Sequence, residues 1–428
     1  MKSDSGKQMI DDLQQSLLRQ HIEYLYSQSA FYRRLFDRHD IDWRSVRNVE
    51  DLQRIPVTTK QDLHAYNEDF LCIPHGEVAD FVTTSGTAGD PVLFALSEKD
   101  LERLAYNEAL SYECVGLSSD DIIQLTTTMD RRFMAGLAYY LGARKMGMGI
   151  VRVGSGVPEL QWDTIARVKP TVLICVPSFL VKMLDYAIEH GIDYKQSSVK
   201  KAICIGEPLR TEDFELNTLA KRIAGRWDIQ LFSTYASTEM ATAFTECEHG
   251  QGGHRQPDLI ITEFLDENNN PVPEGQPGEL VVTTLGVEAM PLLRFKTGDI
   301  VQPHYEPCAC GRTTMRLGPV IGRKNQMIKY KGTTLYPPAM LDILNDFEEI
   351  SCYLIELASD DTGEDIIQVK VGAEEPSPAL HTKIKDRFRA KLRVSPEVAF
   401  TSIDEINKLK FPENNRKSVV FIDKRSKS

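Results

Sequence analysis

The run Thr83-Thr84-Ser85-Gly86-Thr87-Ala88-Gly89-Asp90-Pro91 sets hydroxyls and glycines between two apolar segments, Phe81-Val82 and Val92-Leu93-Phe94-Ala95-Leu96. Glycines let backbone N–H groups turn toward an anion, and hydroxyls add donors around it. The pattern predicts strand, loop, strand, with Ser85, Gly86, Thr87 and Gly89 as candidates for holding phosphate. It is not a Walker loop, because no Gly-Lys-Ser/Thr follows and no helix opens after it. An ordinary Ser/Thr/Gly turn is the alternative for this stretch taken alone.

Other chemistry-bearing residues follow. Tyr235-Ala236-Ser237-Thr238-Glu239 comes after the apolar run Ile229-Gln230-Leu231-Phe232. A tyrosine offers a face for stacking on a base, a threonine hydroxyl can bond phosphate, and a carboxylate can hold Mg²⁺. Gly206-Glu207-Pro208 follows another strand-like run, and Asp299 is expected on a turn after Thr297-Gly298, where it could accept two ribose hydroxyls. Cys247, His249 and His254 share one Gly-rich loop, and Cys308-x-Cys310 lies on another ending in Gly311. Three thiols and a choice of two imidazoles suit tetrahedral Zn²⁺, although the spacing is not that of a zinc finger and free thiols are the alternative. A filled four-ligand site would be a staple and not a reaction centre.

These residues need a scaffold, and the patterning predicts an α/β one. Residues 8–36 read as one helix with Ile10, Leu13, Leu17, Ile22 and Leu25 inward, and 37–54 as a loop. Thr58 or Thr59 with Asp62 signals a helix start before Leu63. A helix over 98–115 should bury Leu101, Leu104, Ala105 and Leu110, and an apolar helix should open near Arg132-Phe133. Strand-like runs at 121–125, 150–153, 171–176 and 201–205 alternate with helical stretches at 158–168 and 178–190. That alternation predicts βαβ units and a parallel sheet, with ligands beyond the carboxyl ends of the strands. Ile260–Leu265 and Glu279–Thr284 read as a hairpin in a smaller β subdomain. Strands near 351–358, 365–371 and 397–403 and a helix near 378–392, striped by Leu380, Ile384, Phe388 and Leu392, read as a small α+β domain.

Composition narrows the partners. The chain has 428 residues, 42% hydrophobic and 26% charged, enough for two domains with real cores. A net charge of −12 argues against nucleic acid or an anionic membrane as partner. No apolar run approaches the ~20 residues of a membrane span, and the first residues lack the apolar core of a secretory signal. Eight cysteines are too sparse for a disulfide scaffold, so a reduced cytoplasmic setting is expected.

Taken in order, the motifs resemble those of adenylate-forming enzymes, the acyl-CoA synthetases and their relatives. Ser85–Pro91 is similar to their phosphate loop and Tyr235–Glu239 to their Tyr-Gly-x-Thr-Glu motif. Arg294-Phe295-Lys296-Thr297-Gly298-Asp299 resembles their Thr-Gly-Asp motif, and Gly322–Ile328 their hinge. Lys417 matches the position of the catalytic lysine. Ile55–Lys60, Gly206-Glu207-Pro208 and Cys308–Thr313 resemble the phenylacetate–CoA ligase branch. The resemblance implies an enzyme that uses Mg·ATP to convert an aryl-acetic or other aromatic carboxylic acid into an acyl-adenylate, then transfers it to coenzyme A. It implies that Lys417, Glu239 and Thr238 act in catalysis, with Glu239 also holding Mg²⁺. Gly206, Glu207 and Pro208 would wall the adenine, and Tyr235, Ala236, Ser237, Asp299 and Arg323 would line the nucleotide site. It also favours His254 over His249 as the histidine of a Zn²⁺ site, and suggests a homodimer.

The same resemblance divides the chain into residues 1–323, with the nucleotide and acyl sites, and residues 324–428, a mobile domain turning about Asn325. Three departures stand out: Asp90 where relatives carry lysine, Asn325-Gln326 for an acidic pair, and Arg416 for a glycine. An acceptor other than CoA, or a non-catalytic nucleotide-binding homologue, are the competing readings.

Overall fold

A computed structural model describes residues 2–84, 91–330, 333–359, 365–410 and 419–425. The chain forms two compact units, one of residues 1–216 and 220–319, the other of residues 217–219 and 320–428.

The first unit opens with α1 (Lys2–Gln28) and α2 (Ala30–Arg38), where the sequence suggested one helix. Ser29 causes the break. Its hydroxyl accepts from Tyr32 N, capping α2, and donates to Asp69 O at 3.0 Å. The inward stripe of α1 is Gln14, Leu18, His21, Ile22 and Leu25, whereas Leu13 is 42% exposed. Residues 37–54 are not plain loop; they hold two 3₁₀ turns, Trp43–Ser45 and Glu50–Arg54. Of the two candidates Thr58 and Thr59, it is Thr59 that caps α3 (Lys60–Ala65), in a full capping box with Asp62.

Next come the antiparallel strands β1 (Asp80–Thr83) and β2 (Leu93–Leu96). Residues 85–90, with Ser85, Gly86, Thr87, Gly89 and Asp90, lie outside the described residues. Helix α4 (Glu98–Val115) has its expected bounds but not its expected face. Its buried side carries Asp100, Arg103, Asn107, Glu108 and Ser111 beside Leu104 and Tyr112, while Leu101, Ala105 and Leu110 are half-buried.

The main sheet is built from β3 (Ile122–Leu125), α5 (Met134–Lys145), β4 (Gly149–Arg152), α6 (Pro158–Val168), β5 (Val172–Cys175), α7 (Pro177–Glu189), β6 (Lys201–Cys204), α8 (Thr218–Ala224) and β7 (Gln230–Ser237). Its five strands are parallel in the order β7-β6-β5-β3-β4. All four residues of β5 are wholly buried, the mark of a sheet covered on both faces. Beyond β7 the same sheet continues antiparallel through β8 (Thr242–Thr245), β9 (Gly253–His254), β14 (Arg316–Leu317) and β13 (Pro303–His304). A separate antiparallel set, β10 (Ile260–Leu265), β11 (Gly278–Thr284) and β12 (Phe295–Val301), contains the expected hairpin.

The second unit starts with β15 (Gly322–Arg323), the hairpin β16 (Ile328–Tyr330) and β17 (Thr333–Leu335), and α9 (Pro337–Asn345). It continues through β18 (Cys352–Ser359), β19 (Asp365–Gly372), α10 (Pro378–Leu392), β20 (Glu397–Phe400), α11 (Ile403–Lys410) and β21 (Phe421–Asp423). Strands β20-β19-β18-β21 form one sheet. Leu380, Ile384 and Phe388 pack α10 into its core as the four-residue repeat predicts. The hairpin β16–β17, α9 and α11 are not anticipated by the sequence reading.

Candidate active site and metal cluster

Two of the motifs occupy strands where turns or strand ends were expected. Tyr235, Ala236 and Ser237 are the last residues of β7, and only Thr238 and Glu239 lie in the turn to β8. Asp299 lies inside β12 and not after a turn, because Gly298 at φ +79 lets the chain take an irregular step without ending the strand. The β11–β12 register shifts at this place, between Glu279 and Val281. Thr297 steadies the step: its hydroxyl donates to Leu280 O at 2.8 Å and accepts from Asp299 N at 3.1 Å. Arg294 of the same motif is a strut. Its guanidinium donates to both oxygens of Glu263, at 2.8 and 3.0 Å, and to Ile55 O.

These strands bring Tyr235 and Asp299 together, 64 positions apart in the chain. The phenol hydroxyl donates to Asp299 Oδ2 at 2.7 Å. A flat ring and an acceptor carboxylate therefore share one place at the carboxyl end of β7, where doubly wound sheets bind ligands. Gly206-Glu207-Pro208 follows β6, the parallel neighbour of β7, so it opens at the same end. The Glu207 carboxylate is committed to structure. It accepts from Ser178 N at 2.9 Å and Ser178 Oγ at 2.8 Å, bracing the first turn of α7. What this segment presents to a ligand is thus chiefly its backbone. Thr238 and Glu239 are half-buried in the adjoining turn. Arg323 lies on β15 in the second unit. Lys417 lies outside the described residues.

Arg103 is a buried support that residue patterning did not single out. It donates to the carbonyls of Leu285 (2.7 Å), Leu259 (2.7 Å) and Ala241 (2.5 Å) and to Thr242 Oγ1 (3.0 Å). It thereby fixes the start of β8 just beyond Glu239. Burial pulls its guanidinium down to about 10, against the pull of Asp100 and Asp258. The sequence offers no local signal for it, because the face it shares also carries Asp100, Asn107, Glu108 and Ser111.

The sulfur ligands also converge. Ligand atoms of Cys247, His254, Cys308 and Cys310 all lie within 4.8 Å of one another. Cys247 Sγ is 3.6 Å from Cys308 Sγ, and Cys310 Sγ is 3.6 Å from His254 Nε2. Tetrahedral Zn²⁺ with bonds of ~2.0–2.3 Å spaces its ligands by about 3.3–3.8 Å, so the donor set and these two contacts fit that ion. The loops meet because β9 pairs with both β8 and β14, setting His254 opposite Thr245 and Arg316. His249 stays apart, 38% exposed beside Glu248. Burial, reinforced by Arg312 and Arg316, holds His254 at about 4, which keeps its ring in the neutral, ligating form. Burial pushes Cys310 up, but hydrogen bonds from Arg312 and the neighbouring thiols outweigh it and bring the thiol to about 7. Cys114 also packs against these thiols, but its Sγ donates to Thr245 O at 3.3 Å and it is not in the ligand set.

The architecture is that of a class of enzymes whose ligands bind beyond the carboxyl ends of parallel strands. The family model for AMP-binding enzymes matches residues 31–289. A phenylacetate–coenzyme A ligase of Thermus thermophilus is 32% identical over 369 residues, 85% of this chain and 81% of that protein. One from Escherichia coli K12 is 26% identical over 409 residues, 92% of this chain and 91% of its own. The solved structure of a 2-hydroxyisobutyryl-CoA ligase, in complex with 2-HIB-AMP, superposes with a TM-score of 0.84 at 23% identity, over 96% of this chain and 89% of that one. That last likeness is one of fold. The chain belongs to the AMP-binding enzyme family, in its phenylacetate–CoA ligase branch. No helix among the described residues is long and apolar enough to cross a membrane.

Proposed function

We propose that this protein is an ATP-dependent, AMP-forming ligase that activates an aryl-acetic or other aromatic carboxylic acid and passes the acyl group to coenzyme A. The observation that carries the reading is the Tyr235–Asp299 contact at 2.7 Å, at the carboxyl end of the sheet in a chain of this family. In the first half-reaction a carboxylate oxygen of the acid forms a bond to the α-phosphorus, and the bond from that phosphorus to pyrophosphate breaks. Positioning and charge stabilisation do most of the work in such a transfer. Tyr235 would stack on adenine and Asp299 would accept the ribose hydroxyls, with the backbone of Gly206, Glu207 and Pro208 beside them and Ala236 and Ser237 lining the approach. Ser85, Gly86, Thr87 and Gly89 would hold the β- and γ-phosphates, and Thr238 the α-phosphate. Glu239 would hold Mg²⁺, whose charge offsets that of the phosphates. Lys417 would neutralise the α-phosphate and carboxylate oxygens, and Arg323 would contact the nucleotide.

In the second half-reaction the CoA sulfur bonds to the acyl carbon, and the bond to AMP breaks. The unit carrying Lys417 would turn about Asn325 between the two steps, a hinge motion. Cys247, His254, Cys308 and Cys310 would hold a structural Zn²⁺ ion, with all four ligand positions taken by the protein. A cytoplasmic setting fits eight cysteines that form no disulfide. Homodimerisation belongs to the proposal as well.

The test is pyrophosphate release from Mg·ATP across a panel of carboxylic acids, with and without CoA. Release that depends on an aryl-acetic acid, with AMP and acyl-CoA formed only when CoA is added, supports the reading. Turnover that ignores CoA moves the assignment to another acceptor. ATP binding without turnover on any acid refutes the ligase.

A further inference from the structure

The metal cluster and the nucleotide site are joined by two residues, the half-buried Arg210 and the buried Glu246, that the reaction above leaves unused. Glu246 immediately precedes Cys247 and is 3% exposed. Its carboxylate accepts from Arg210 Nε at 2.8 Å and from Ser233 N at 3.0 Å, and its own N–H donates to Ser233 O at 3.0 Å. Ser233 stands two residues before Tyr235 on β7. Arg210 stands two residues after Pro208, at the start of the return leg of the loop that leaves β6. One carboxylate therefore grips both segments that hold the adenosine part of the nucleotide.

The other side of this pair is the metal-ligand loop. Gly250, at φ +59, donates its N–H to Cys247 O at 3.0 Å and closes a turn against the Arg210 guanidinium. A Cβ at Gly250 would overlap that guanidinium. Arg210 Nη1 also donates to Phe214 O at 3.1 Å. The Phe214 ring packs edge-on against His304 at 4.7 Å, four residues before Cys308, and lies against Gly252. The return leg after Gly206-Glu207-Pro208 is thus docked at two points on the loops that carry Cys247, His254 and Cys308. The pair resists separation, because it would leave the buried Glu246 carboxylate without its cation. Its partners must move together.

We infer that metal occupancy positions the nucleotide site: the filled cluster fixes the 247–254 loop, and the Arg210–Glu246 pair carries that setting to the Gly206-Glu207-Pro208 loop and to Tyr235. Arg210 and Glu246 are positioning residues. This rests on the nucleotide reading of that site and on Zn²⁺ as the ion that fits the cluster.

The experiment uses the full chain with zinc loaded, its content measured by mass spectrometry, and the same chain after chelation, with folding followed by circular dichroism. Mg·ATP binding is measured by calorimetry in the absence of acid and CoA. Chelation should weaken ATP binding on the order of tenfold, within the usual range of coupling between sites. Gly250→Ala in the loaded protein should do the same while retaining zinc and leaving KM for the acid unchanged. In chelated protein the same substitution should add less than about twofold, because the two perturbations break one linkage. Arg210→Met should weaken ATP binding in loaded protein, and Arg210→Lys should restore part of it.

Unchanged ATP affinity in loaded, folded Arg210→Met overturns the inference, even if chelated protein or Gly250→Ala fails to fold. Fully additive effects of chelation and Gly250→Ala overturn it too, as does a purified protein that binds ATP but no zinc. A zinc-loaded parent protein that binds no ATP overturns the nucleotide reading itself, and this inference with it.

Discussion

Replacing Glu108 with glutamine should stabilise the first unit increasingly as pH rises above neutral. The side chain lies between α4 and α5, where the bare Cα of Gly142 leaves room for it. Asn107 Nδ2 donates to it at 3.1 Å. Burial pushes its carboxyl from 4.5 up to about 8, with the Asn107 hydrogen bond opposing. Between those values the unfolded chain is ionised while the native chain keeps its proton, so rising pH favours unfolding. The linkage is about 1.4 kcal/mol per pH unit for one proton, a loss of about 4–5 kcal/mol by pH 8. His21 tilts the balance the other way in a lower window. Burial holds its ring at about 4 instead of 6.5, so the unfolded chain binds a proton that the native chain refuses, and stability falls as pH drops from 6.5 toward 4. The two slopes oppose each other between about 4.5 and 6.5, and above 6.5 only that of Glu108 remains.

Urea denaturation followed by tryptophan fluorescence reads this directly, because Trp43, Trp162 and Trp227 all lie in the first unit. The stability gained by Glu108→Gln over the parent should grow by about 2 kcal/mol between pH 6.5 and 8. Glutamine retains the side-chain volume and a carbonyl acceptor for Asn107, so the comparison isolates the proton. A pH-independent difference, or a variant less stable than the parent at pH 8, would refute the burial argument.

Arg103→Met should lower the stability of the same unit by about 3–5 kcal/mol in that assay, since it strands the carbonyls of Leu285, Leu259 and Ala241 and leaves Asp100 without its neighbouring cation. Tyr235→Phe keeps the ring and removes the hydroxyl that holds Asp299; KM for ATP should rise about tenfold, with KM for the acid unchanged in steady-state pyrophosphate release. Lys417→Ala should cut acid-dependent pyrophosphate release on the order of a hundredfold, while calorimetry shows ATP still bound.

The sequence by itself determined the order and type of most elements, because local periodicity and turn chemistry dictate them. Alternating apolar runs and helices specify the parallel sheet, Thr58 or Thr59 with Asp62 marks the start of α3, and the stripe of α10 specifies its buried face. The motif residues were likewise legible as residue types suited to phosphate, ribose and metal. Tertiary structure decided what a linear pattern does not encode. The polar inner face of α4 is tolerable only because carbonyls from distant loops meet Arg103, and no period in the sequence predicts those partners. Ser29 reads as an ordinary helical residue until Asp69 O accepts its hydroxyl. Tyr235 and Asp299 reach 2.7 Å between two different sheets, and His254 rather than His249 joins the three thiols through strand pairings between segments tens of residues apart. Such pairings depend on register and side-chain direction across a sheet, quantities fixed only when both strands are in place.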